Sequence, residues 1–175
     1  VSPALITAGS RYQFVTSLCE LDLARYRHIA LAAGAARVRG NSPEAWDLYD
    51  AALAILTDDP VADIEILQAS PVLTGLRAHH ANLVSEYAED ASHHGKHARV
   101  LAHLLALTQR DPYDERAHAC LMIALTGTGH TGAALAAYDR IRARLDTDLG
   151  IAPGPYLTNA QARILRGTIA HGLRP

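Results

Sequence analysis

Four histidines, His93, His94, His97 and His103, come nearest to a metal constellation in this sequence. His93 and His97 stand four apart, so on one continuous helix both imidazoles would face the same ion. The pattern breaks at His94-Gly95, however, and no carboxylate or cysteine joins them at ligand spacing. A solvated turn between helices is the better reading, and no metal is expected. Asp58, Asp59, Asp63 and Glu65 offer oxygen ligands but lack the loop spacing of a calcium site, so they read as a polar linker. Arg140 and Arg144 line one stripe of a helix with Arg142 beside it, opposite Tyr138 and Ile141. They are candidate contacts for an acidic partner, weighed against an ordinary solvated face. No spacing raises any Ser, His and Asp trio above background. There is no phosphate-cradling loop, nucleophile elbow or metalloprotease motif. Neither catalysis nor a cofactor is expected.

The composition agrees with a binding role. Hydrophobic residues make up 49% and charged residues 19%, which disfavours disorder, and 175 residues suffice for a core without staples. Alanine dominates the apolar class, and its small volume and high helix propensity favour closely stacked helices. The net charge of −2 argues against a broad phosphate-binding surface. Cys19 and Cys120 form no disulfide framework and read as small core residues of a reducing compartment. With no signal peptide and no apolar run of membrane-spanning length, the expectation is a soluble, cytoplasmic protein.

The elements that must carry these residues differ along the chain. Leu5-Ile6-Thr7 and Arg11-Tyr12-Gln13-Phe14 flank Gly9 and read as a short β-hairpin. From Asp22 the period is helical, with Tyr26, Ile29, Ala30 and Ala33 on one face and Gly34 weakening the helix near its end. Ser42 and Pro43 read as N-cap and first residue of the next helix, which carries Tyr49, Ala52 and Leu53. Thr57 to Ser70 breaks the period and reads as a linker with a short helix around Ile64–Leu67. Later faces comprise Leu83, Val84 and Tyr87, then Leu101, Leu104, Leu105 and Thr108. After Asp111-Pro112, Asp114 caps a helix carrying Ala117, Leu121 and Ala124, and the next buries Ala134, Tyr138, Ile141 and Leu145. Pro153-Gly154-Pro155 opens a last helix with Leu157, Ile164 and Leu165.

Three of these units share a register centred on Gly40, Gly95 and Gly129. Five residues on stand Ala45, Val100 and Ala134; nine on, Tyr49, Leu104 and Tyr138; twelve on, Ala52, Leu107 and Ile141. A small residue admits close helix approach and a large one fills the groove beside it. Such spacing predicts an all-α, tetratricopeptide-like helical repeat superhelix with a short N-terminal β-hairpin.

The run from Arg144 through Leu149-Gly150-Ile151-Ala152-Pro153-Gly154-Pro155-Tyr156-Leu157 resembles the bacterial transcriptional activator domain of Streptomyces antibiotic regulatory protein (SARP) type regulators. Arg110-Asp111-Pro112-Tyr113-Asp114 and Ala134 through Tyr138 match as well. Arg11 stands where that family usually has glycine, and Asn159 and Ala160 where a more apolar residue is common. The resemblance implies an effector and oligomerisation domain of a transcription activator, often acting on antibiotic clusters. Residues 1–18 would then be the last hairpin of an upstream winged helix, and residues 19–175 the activator domain. Its partners would be a second copy, the transcription machinery, and promoter DNA only through the upstream domain. The alternative is a sensor that binds a peptide or small ligand in the concave face of the repeats, with Tyr26, His80, Tyr87 and His118 as candidate contacts.

Overall fold

The computed structural model describes residues 5–8, 11–14, 22–56 and 70–169. Cys19, the acidic cluster of Asp58, Asp59, Asp63 and Glu65, and the short helix expected around Ile64–Leu67 lie outside the described residues. The chain divides into two compact units, Val1–Pro60 and Val61–Pro175.

In the first unit, strands β1 (Leu5–Ala8) and β2 (Arg11–Phe14) pair antiparallel, with Leu5 opposite Phe14 and Ala8 opposite Arg11. Helices α1 (Asp22–Val38) and α2 (Ser42–Ile55) form an antiparallel hairpin. Tyr26, Ala30, Ala33 and Ala36 of α1 are buried with Ala45, Tyr49, Ala52 and Leu53 of α2. The alanines leave room for the two tyrosines, as the small-then-large register requires. Gly34 lies within the last part of α1, which runs on to Val38. Glycine costs a helix about 1 kcal/mol, and burial of Ala33 and Ala36 on either side outweighs that. The N-cap of α2 is Asn41 rather than Ser42, which is itself buried. Asn41 Nδ2 donates to Glu44 Oε2 at 2.7 Å, so its side chain braces the first turn without capping a backbone amide.

The second unit contains α3 (Pro71–His93), a 3₁₀ turn (His97–Arg99), α4 (Leu101–Arg110), α5 (Glu115–Gly127), α6 (Thr131–Arg144), a π-helical turn (Leu145–Leu149) and α7 (Pro155–Leu165). Asp114 caps α5 as expected, its carboxylate accepting from the Ala117 amide at 2.9 Å. The register glycines have φ of +75° at Gly40, +68° at Gly95 and +87° at Gly129. Each closes its helix by one hydrogen-bond pattern: the glycine amide donates three residues back and the next amide five back. At Gly129 these bonds reach Thr126 and Leu125 at 2.9 and 2.8 Å. This left-handed cap satisfies carbonyls the helix end leaves open, and glycine adopts it without steric cost.

All nine register positions are buried. Helix α5 packs against α3 on one flank and α7 on the other, while α4 and α6 also pair with it. Consecutive helix hairpins stacked in this way form an all-α fold consistent with tetratricopeptide-like repeats. Met122, Tyr138, Ile141, Leu145, Leu157 and Ile164 share the core around α5, α6 and α7. Two expected face residues point outward instead, Leu105 and Leu165 being 46% and 67% exposed. Ala160, where the resembling family commonly has a more apolar residue, is buried in this core.

Candidate ligand and partner surface

Helices α3 and α7 both pack against α5. Residues of all three line a cavity of about 200 Å³: Glu89 and His93 of α3, Cys120 and Ile123 of α5, Arg163 of α7 and Ile169 beyond it. Three contacts hold its walls. Arg116 of α5 pairs with Glu89 of α3 at 2.9 Å and reaches Asn82 Oδ1 at 3.4 Å. Glu115 accepts from the Gly154 amide at 2.6 Å, tying the start of α5 to the start of α7. Behind Arg163, the Thr168 amide and hydroxyl both donate to the Arg163 carbonyl at 3.1 Å, which turns the chain so that Ile169 covers the end of the cavity.

Burial pushes the Cys120 thiol up to about 12, so the sulfur is a neutral wall atom with no nucleophilic thiolate at pH 7. His97 also lines the cavity and is 2% exposed. Its imidazole lies flat against Gly127, where an added Cβ would fall inside the ring's van der Waals envelope. The His93, His94 and His97 cluster therefore divides: the turn at His94-Gly95 leaves His93 and His94 exposed while His97 becomes core. Among the described residues, no group of three or more His, Cys, Asp or Glu is arranged to hold a metal ion.

None of the six candidate contacts lines this cavity. Tyr26 is fully buried between α1 and α2, and burial raises its hydroxyl to about 12. Tyr87 is fully buried beside α4, where its hydroxyl accepts from Arg99 Nε at 2.9 Å and its ring lies 6.4 Å from His103. His80 is half-buried two turns earlier on α3. Burial lowers its imidazole to about 4, and Arg110, His103 and His79 add repulsion. His118 is brought into one electrostatic neighbourhood with exposed Arg140 and Arg144 of α6. Burial lowers its imidazole first, and both arginines oppose its protonation, against the Pro112 carbonyl and Asp114, which favour it. Beside them the Tyr113 hydroxyl donates to Asp148 at 3.0 Å. The cavity was missed because its residues come from four separate segments. Only Glu89 and His93, one turn apart on α3, hinted at a shared polar edge.

The bacterial transcriptional activator domain matches residues 21–165. The regulatory protein AfsR of Streptomyces coelicolor is 33% identical over 168 residues, covering 95% of this chain and 17% of AfsR. The regulatory protein DnrI of Streptomyces peucetius is 43% identical over 72 residues, which are 41% of this chain and 26% of DnrI. Mycobacterium tuberculosis EmbR, solved in complex with a low-affinity phosphopeptide, superposes with a TM-score of 0.74 at 30% identity. That superposition covers 94% of this chain and 44% of the EmbR chain. This chain thus spans a minor part of each relative's length. All of these relatives are regulators, and the matched module is regulatory rather than enzymatic. The chain belongs to the bacterial transcriptional activator domain family found in SARP-type regulators.

Proposed function

We propose that this chain is the effector domain of a cytoplasmic transcription activator of a secondary-metabolite cluster, and that it works by binding other molecules. The observation that carries this is the reach of the AfsR alignment. It takes in 95% of the chain, more than residues 21–165 can supply, so it includes part of the segment before the domain. Residues 1–18, with β1 and β2, are then the closing hairpin of a winged helix that reads promoter DNA, and residues 19–175 are the activator domain. With a net charge of −2 and arginines scattered over several helices, residues 1–175 alone should bind promoter DNA only non-specifically. The test is an anisotropy titration at physiological salt with specific and scrambled duplexes, beside a promoter-reporter assay of the winged-helix protein with and without residues 21–165. Selective binding by residues 1–175, or full activation without residues 21–165, would overturn the proposal.

For how the domain is controlled, recognition of a peptide or small ligand on the repeat face has more support than self-association alone. The cavity between α3, α5 and α7 is a built concave feature. EmbR, which shares the fold, has been solved with a peptide bound.

A further inference from the structure

We propose that the cavity between α3, α5 and α7 takes a small organic carboxylate with a short apolar body, held by the Arg163 guanidinium. This deepens the ligand-responsive reading and rests on it. Charge decides the class of ligand. Glu89 is the acid on the cavity wall, and Arg116 already pairs with it at 2.9 Å. Arg163 on the opposite wall makes no side-chain hydrogen bond or ion pair among the described residues, and Cys120 stays a neutral thiol. With Glu89 answered by Arg116 from outside the lining, Arg163, an exposed residue, is the cation left over at the cavity. A guanidinium presents two parallel donors that match a carboxylate, which a lone ammonium does not.

Shape decides the rest. Ala88, Ile123 and Ile169 supply apolar wall, and Ile169 is itself buried. A volume of about 200 Å³ is below the usual range for drug-sized ligands, so it fits a short chain or a single ring and excludes a folded peptide segment. Ser92 adds a hydroxyl to the lining.

The experiment is a methyl NMR titration of the 175-residue chain with hexanoate and benzoate, against hexylamine and benzyl alcohol. We expect the carboxylates to shift the Ile123 and Ile169 methyl resonances and to raise the Tm, and the amine and alcohol to do neither. Arg163→Gln should weaken carboxylate binding at least about tenfold while leaving the Tm of the unliganded protein unchanged. Arg163→Lys should retain part of the affinity, and Arg140→Gln, on the exposed face of α6, all of it. Carboxylates that leave these methyls unmoved, equal binding of the alcohol, or full affinity in Arg163→Gln would each overturn the proposal. Failure of the effector-domain reading would appear instead in the reporter assay, which needs no ligand.

Discussion

Substituting Gly127 by alanine isolates one packing contact against a well-defined opposing effect. Gly127 is the last residue of α5, its φ is not positive, and backbone considerations alone favour alanine there by about 0.5–1 kcal/mol. The added Cβ, however, would lie inside the His97 imidazole, touching Cδ2, Cγ and Nε2. That ring is 2% exposed and held in the 3₁₀ turn against α5, so it can relieve the clash only by leaving its packed position for the cavity that it lines. Overpacking of this kind costs about 1–3 kcal/mol. Packing therefore wins, and Gly127→Ala should lose about 1–2 kcal/mol, which for a chain of this size lowers Tm by roughly 2–8 °C. Gly34→Ala and Gly75→Ala supply internal controls. Both glycines lie within helices where a Cβ meets nothing within 4 Å, and both variants should gain stability. Urea unfolding followed by circular dichroism measures all three. In a His97→Ala background the Gly127→Ala penalty should vanish, giving a coupling of about 1 kcal/mol or more. A Gly127→Ala protein as stable as the parent, or one whose loss persists without the imidazole, would refute the reasoning.

Other outcomes test other contacts. Gly129→Val places a β-branched side chain at φ +87° and should cost about 1–2 kcal/mol, read from the urea midpoint; an unchanged midpoint would break the repeat register. His80 is held down to about 4 in the folded chain, so the unfolded chain binds its proton first as pH falls. Its stabilisation is complete above about pH 6.5 and drains away toward pH 4, and His80→Gln should flatten the stability curve between pH 6.5 and 5, a slope equal to the parent's arguing against burial as the cause. Zinc and chelators should leave Tm unchanged, because the turn at Gly95 parts His93 and His94 from the buried His97; a zinc-dependent rise of several degrees would contradict this.

What could be read from the sequence was what local chemistry enforces. Gly40, Gly95 and Gly129 were legible because a left-handed helix cap is nearly closed to residues with a Cβ, so the spacing of glycines is the spacing of turns. Asp114 was legible because a carboxylate before an apolar run has one common use. The errors lie where tertiary contact overrides local preference. Leu105 and Leu165 fit the helical period yet face outward. The cavity was hidden for a related reason. Period and propensity describe one helix at a time, whereas Glu89, Cys120 and Arg163 meet only after α3, α5 and α7 have stacked. His97 shows the same limit, since its burial depends on the missing side chain at Gly127, thirty residues away.

Helix α5 touches α3, α4, α6, α7 and the 3₁₀ turn, whereas α7 packs only against α5 and α6 among the described helices of this unit. Unfolding of the second unit is therefore graded by position and starts at its margins. Closing helix α7 can peel away by giving up its contacts with α5 and α6 and the Glu115–Gly154 bond, while α3 and α4 stay docked. Amide protons of α5 should therefore exchange slowest in this unit and those of α7 faster, by local fraying, as hydrogen exchange would measure. Arg163 and Ile169, two of the cavity's lining residues, belong to that margin. Anything bound there clamps the outer helix onto the stack, so occupancy would be read by the rest of a regulator as a change in how long its outermost helix stays attached.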